Sequence, residues 1–169
     1  ERTLQRFGKA PEGLSEIVIG DKTIGEIMVD DKRLPVISAT GSTRMGREIA
    51  PKVAARFGRS ILELGGNNAM ILTPSANLDL ALMATVFGAV GTAGQRCTSQ
   101  RRLIAHKDIY ETFVTRTKKA YASVRIGNPL ESGTLLGPLI DKQAYDMMQE
   151  TLKKAKEQGG KITGGERVM

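Results

Sequence analysis

One cysteine, Cys97, occurs in the 169 residues. It stands in "GTAGQRCTSQRRL" (91–103), with Gln95 and Arg96 before it and Arg101 and Arg102 after it. By composition two readings stand open. A free cysteine is often a small buried hydrophobe, or it is a thiolate nucleophile that its loop presents. Glu63, in "LELGGNN" (62–68), is by itself an ordinary strand-end acid. The turn "ATGSTRMG" (39–46) leaves four residues between Gly41 and Gly46. Glycine lets a backbone approach a ligand, and a helix start offers free N–H groups to a phosphate. Its spacing is neither G-x-G-x-x-G nor a P-loop, so a plain strand-to-helix turn is the alternative. One histidine and one cysteine cannot supply the usual three or four ligands of a zinc-type site, so no metal is expected. His106 follows an apolar run and is given no role beyond packing or hydrogen bonding.

The elements that must position these residues alternate between short β-like and longer helical runs. "SEIVIG" (15–20) predicts a strand closed by Gly20, and "DKTIGEIMVDD" (21–31) has Ile24, Ile27 and Met28 at helical spacing. "LPVISAT" (34–40) is a β-branched run that tolerates Pro35 at its entry. A helix is expected over 42–58, with a Ser/Thr cap, a kink at Pro51 and a stop at Gly58. Strands follow at 59–64 and 69–73, joined through Gly65-Gly66-Asn67-Asn68. The run 77–91 is helical and apolar on most faces, which predicts a buried helix. Beyond the cysteine loop come a strand at 102–107 and a helix at 108–124 capped by Asp108. A turn-rich stretch covers 125–143, a helix 141–160 has Gly159 at its end, and a last strand "KITGG" is expected. This alternation predicts an α/β fold with parallel strands.

Hydrophobic and charged fractions of 40% and 25% are those of an ordinary globular chain. No uncharged apolar run approaches the roughly 18 residues that span a bilayer, so no membrane role is expected. The start, "ERTLQRFGKAPEG", lacks the apolar region of a secretory signal. A single cysteine excludes an internal disulfide framework and fits a reducing, cytoplasmic setting. The formal charge of +7 is spread along the chain and almost without interleaved aromatics, which argues against nucleic acid. It suits attraction of anionic small molecules such as dinucleotides and carboxylates.

Taken in order, "TGSTRMG" (40–46), "LELGGNN" (62–68) and "GQRC" (94–97) resemble the aldehyde dehydrogenase superfamily. The pairing of "ELGGNNA" with "GTAGQRCT" is similar to its antiquitin branch, which oxidises α-aminoadipic semialdehyde in lysine breakdown. Thr92 departs from the asparagine usual in the wider superfamily but fits that branch. The resemblance implies that Cys97 is the nucleophile, its own N–H helping to hold the oxyanion, and that Glu63 is the base that activates water. It further implies NAD as cofactor, with Gly41 and Ser42 at the pyrophosphate beside Gly46, Met45 and Gly20 near the adenosine, and Leu64 near the nicotinamide. Arg96 is implied to clamp the substrate's carboxylate, a bidentate match; a surface arginine or one paired with an internal acid is the alternative. Gly91, Ala93 and Gly94 are expected to leave room for nicotinamide and aldehyde.

By the same resemblance, residues 1–67 form the end of a Rossmann-variant cofactor domain and 68–169 the first part of an α/β catalytic domain. The upstream half of the cofactor domain, the oxyanion-hole asparagine, the groups that hold the nicotinamide ribose and the oligomerisation segment of such proteins are not expected in this chain. The whole protein is implied to be a homo-oligomer, dimer or tetramer, acting on a small aldehyde. Another aldehyde dehydrogenase, for succinic, betaine or aliphatic aldehydes, and a catalytically silent interaction module are the competing readings.

Overall fold

The computed structural model describes residues 2–9, 11 and 13–168. The chain divides into two compact units, Glu1–Gly65 and Gly66–Met169.

In the first unit, α1 (Arg2–Phe7) and α2 (Lys22–Asp30) precede β1 (Val36–Thr40), α3 (Thr43–Ala55) and β2 (Arg59–Glu63). The strands β1 and β2 run parallel, in register from Val36 opposite Arg59 to Thr40 opposite Glu63, so α3 is the crossover that a parallel pair requires. Helices α2 and α3 each start on a side-chain acceptor. Asp21 accepts from the Thr23 N–H at 2.9 Å, and the Ser42 hydroxyl accepts from the Met45 N–H at 3.1 Å, satisfying donors that a helix start leaves free. Val53 is fully buried and Val29 nearly so. Arg56, just past α3, donates to the carbonyls of Val29 and Leu34 at 2.9 and 2.8 Å, tying the ends of the two helices to the start of β1.

Two expectations change here. The 15–20 segment forms no strand; no described strand lies beside it, and Ile17 and Ile19 are exposed. Helix α3 contains Pro51 and ends at Ala55, before Gly58. The left-handed residue that turns the chain is Phe57, at φ 58°. A side chain at Gly58 would instead strike Val53, whose carbonyl accepts the Gly58 N–H at 3.0 Å. The short helix α1 has no counterpart in the sequence pattern.

The second unit holds β3 (Asn68–Leu72), α4 (Leu78–Val90), β4 (Gln100–Ala105), α5 (Lys107–Ala122) and α6 (Lys142–Glu157). Strands β3 and β4 are again parallel, with α4 between them in sequence, which makes the architecture α/β in both units. The core is Leu72, Ala81 and Phe113, with Met70, Leu82 and Leu103 packed against it. Asn77 caps α4 through two backbone N–H groups, and Asp141 caps α6.

His106, not Asp108, caps α5: its Nδ1 accepts from the Asp108 N–H at 3.3 Å. Asp108 lies in the first turn, where its charge faces the positive end of the helix. Helix α4 is apolar on most faces, yet only one side is covered; Leu80, Met83 and Phe87 are exposed. Gly159 takes φ 85° after α6, as a helix stop should. "KITGG" is no strand, because Gly164 and Gly165 turn left-handed, at φ 76° and 99°. No helix among the described residues is long and apolar enough to cross a membrane.

Candidate functional site

In the first unit the parallel ladder ends at Thr40 and Glu63, and the chain leaves β1 through Gly41 into α3. The Gly41 N–H donates to the Glu63 carbonyl at 3.0 Å, so the glycine turn and the glutamate strand end are joined directly. Glu63 itself is exposed. The Met45 side chain lies where a Cβ on Gly41 would be, its sulfur 2.6 Å from that point. Leu64 does the same over Gly46, with its Cδ1 2.6 Å from the Cβ position, and Gly46 is buried. Glycine at 41 and 46 therefore lets two side chains close over the helix start. The structure brings Gly41, Ser42, Met45, Gly46, Glu63 and Leu64 to one strand-end locality. Gly20 stands before α2, with the Ile24 side chain folded against it.

A cleft of about 760 Å³ opens between α2, β1 and α3, lined by apolar Met28, Val29, Met45 and Ile49 with Ser42 and Arg44 beside them. Small-molecule pockets span roughly 300–1,000 Å³. Lys22 and Glu48, on its two helices, pair at 3.0 Å. The hydrogen bond from Lys22, then its charge, holds the Glu48 carboxyl below its ordinary range, and Glu48 in turn raises the Lys22 ammonium.

Cys97 lies in the second unit and is exposed. It follows a tight 3-10 turn, Gly91–Gly94, in which Thr92, Ala93 and Gly94 all take left-handed φ of 56°, 54° and 69°. Gln95 ties this turn down. Its Nε2 donates to the Thr92 carbonyl at 3.2 Å, and its Oε1 accepts from the Ile140 N–H at 2.9 Å. Ser99, buried, accepts the Arg96 N–H on its hydroxyl at 3.1 Å.

Arg96 turns back from the loop. Its guanidinium lies 5.0 Å from the centre of the Phe87 ring, and Nη2 donates to the Phe87 carbonyl at 3.2 Å. Nε is buried without a partner. The space over Gly91 is filled by this guanidinium, so the missing side chain there makes room for Arg96 rather than for a ligand. Arg96 borders a mostly apolar cleft of about 690 Å³ with Phe87, Val90, Thr92, Val124 and Leu135.

The residue types alone give Asn68, Arg101 and Arg102 no role. Asn68 donates to the Cys97 and Ser99 carbonyls at 2.7 and 3.0 Å. Arg101 and Arg102 donate to the carbonyls of Gly66 and Asn67. The signal available was the repeated Asn in "GGNN" facing the repeated Arg in "QRR", legible only once β3 and β4 are known to pair. Among the described residues no three His, Cys, Asp or Glu side chains gather as a metal site would need.

Residues 3–169 match the aldehyde dehydrogenase family. The chain belongs to that family.

Its curated relatives include α-aminoadipic semialdehyde dehydrogenase of Bos taurus, 47% identical over 161 residues, which are 95% of this chain and 30% of the relative. Aldehyde dehydrogenase family 7 member B4 of Arabidopsis thaliana is 44% identical, over 94% of this chain and 31% of that protein. Among solved structures, betaine aldehyde dehydrogenase from Staphylococcus aureus in complex with NAD+ superposes with a TM-score of 0.86 at 27% identity. The match covers 90% of this chain and 30% of that one. HpcC from Thermus thermophilus gives 0.82 at 31% identity, over 85% and 28%. This aldehyde dehydrogenase chain thus spans about 30% of the length of the curated relatives it matches.

Proposed function

We propose that the chain is a segment of an NAD-dependent aldehyde dehydrogenase that oxidises α-aminoadipic semialdehyde, an amino-acid-derived aldehyde of lysine catabolism, to the carboxylate. The observation that carries the reading is the exposed Cys97 on a loop held from both sides, in a chain of this family that is similar to relatives with that activity in their names. Residues 1–67 supply the end of a Rossmann-variant cofactor domain and 68–169 the first part of the catalytic domain.

The first unit's cleft fits part of a dinucleotide. Its apolar floor, with Met45 folded over Gly41, suits a flat purine, and a helix start with Ser42 and Arg44 at its mouth suits phosphate. Gly20, Gly41, Ser42, Met45, Gly46 and Leu64 would hold NAD there, which supplies the hydride acceptor. Cys97 adds as thiolate to the aldehyde carbon and gives a thiohemiacetal, with the Cys97 N–H donating to the oxyanion. Loss of hydride leaves a thioester. Glu63 takes a proton from water, whose oxygen attacks the thioester carbonyl and releases the carboxylate and the Cys97 thiolate. Arg96, at the border of the second unit's apolar cleft, would pair its guanidinium with the substrate's α-carboxylate. The whole protein is a cytoplasmic homo-oligomer in this reading, acting on a small aldehyde.

The test is NADH formation from NAD and α-aminoadipic semialdehyde, beside Cys97→Ala. Cysteine-dependent NADH formation is expected. Silence both in this chain and in a longer polypeptide supplying the remaining length of its relatives overturns the reading.

A further inference from the structure

Cys97 sits between two peptide planes, and side chains from outside its loop hold both. We propose that Asn68 and Arg101 are positioning residues for the Cys97 nucleophile, Arg101 fixing the peptide before it and Asn68 the peptide after it. The inference rests on reading Cys97 as a nucleophile that forms acyl intermediates.

A peptide group is planar and stiff, so the Arg96 carbonyl and the Cys97 N–H move as one body. That carbonyl accepts from Arg101 Nη2 at 3.2 Å and from the Ser99 N–H at 3.1 Å. Holding the carbonyl aims the Cys97 N–H, the donor nearest in the chain to an oxyanion formed on the carbon bonded to Sγ. On the other side, the Cys97 carbonyl accepts from Asn68 Nδ2 at 2.7 Å, and the same nitrogen donates to the Ser99 carbonyl at 3.0 Å. Both acceptors are carbonyl oxygens, so only the NH2 end of the amide can serve them.

Two further observations show that the surrounding backbone is shaped for these contacts. The pairing of β3 with β4 slips from Asn68 opposite Gln100 to Ala69 opposite Arg102, leaving Arg101 as an extra residue. A bulge of this kind re-aims a side chain, and here the Arg101 guanidinium bridges the Gly66 carbonyl at 3.0 Å and the Arg96 carbonyl. At Gly66 a Cβ would sit 2.8 Å from Asn68 Oδ1 and 3.1 Å from the Cys97 carbonyl oxygen. Glycine at 66 is thus what allows the clamp to close. The role differs from general packing because Asn68 and Arg101 are both exposed and spend their donors on the cysteine loop and its neighbouring turn.

Two probes of Cys97, the only cysteine in the chain, separate positioning from thiol reactivity. With p-nitrophenyl acetate the thiolate attacks the ester carbonyl, forms an acetyl thioester and releases p-nitrophenolate; the step passes through an oxyanion. With iodoacetamide the thiolate displaces iodide in one step and forms no oxyanion. Full removal of an oxyanion donor costs about 10²–10³ in rate, so loosening one by Asn68→Ala or Arg101→Ala should slow acylation about tenfold or more. Alkylation should change less than about threefold, and Arg101→Lys should recover part of the loss. Variants are compared only where circular dichroism matches the parent; if either alanine variant does not fold, isosteric Asn68→Asp carries the test. Parallel changes in both rates, or none in either, overturn the clamp. So does a parent chain whose acylation-to-alkylation ratio equals that of free cysteine. NADH formation, measured separately, decides the aldehyde-oxidation reading, so the two fail independently.

Discussion

In the proposed function, Arg96 is the side chain that selects the substrate class. Stacked on Phe87 and bonded to its carbonyl, the guanidinium keeps a buried Nε–H without an acceptor. A substrate carboxylate can pair with the guanidinium at the border of the cleft it lines, and a neutral alkyl chain cannot. Arg96→Ala should therefore raise KM for α-aminoadipic semialdehyde by roughly 10–100-fold, the loss of about 1.5–3 kcal/mol for a hydrogen bond to a charged group, while sparing a neutral aliphatic aldehyde. Steady-state kinetics on both substrates check this, and equal losses sink the carboxylate assignment. At this scale the sequence singles out Cys97, Arg96 and Glu63 as candidates by their residue types. It was silent on Asn68 and Arg101, whose roles exist only because β3 and β4 pair with a one-residue slip.

Elements were legible where their signals are local. Ser42, Asn77 and Asp141 cap α3, α4 and α6 as their types predict, and the paired strands fall on β-branched or apolar runs. The segment 15–20 has the same apolar character as β1 yet forms no ladder, since a strand depends on a partner that its own residues do not specify. The cysteine loop exposes a second limit. Thr92 and Ala93 take a left-handed backbone, a conformation that costs an L-residue roughly 1–2 kcal/mol, and nothing in "GTAG" announces that these two share it with Gly94. The sign of one substitution tests this turn. Ala→Gly in a helix interior costs up to about 1 kcal/mol. Ala93→Gly should instead be neutral or stabilising by up to about 1 kcal/mol, because relief of the left-handed backbone offsets the added freedom of the unfolded chain. Denaturant unfolding reads the difference. A loss near 1 kcal/mol would falsify the left-handed assignment at Ala93.

For the whole molecule, the informative quantity is apolar surface left uncovered. Helix α4 has an apolar face that its own unit does not bury: Leu80, Met83 and Phe87 are 62%, 64% and 70% exposed, at spacings that place them on one stripe. The pattern of apolar residues predicted burial of this helix, and a sequence pattern does report which surfaces seek cover without reporting what supplies it. A contiguous exposed apolar stripe of this kind drives association, while the formal charge of +7 opposes bringing copies together. Salt shortens the reach of that repulsion to about 8–10 Å near physiological strength and leaves apolar attraction intact. The chain should accordingly self-associate, more strongly as salt rises, in sedimentation velocity runs at fixed protein concentration. Leu80→Glu with Met83→Glu should return it to monomer without loss of helix signal, because neither side chain belongs to the Leu72–Ala81–Phe113 core. Association that weakens as salt rises would instead place the driving force in opposite charges, and a salt-indifferent monomer would mean that the stripe is too small to hold two copies together.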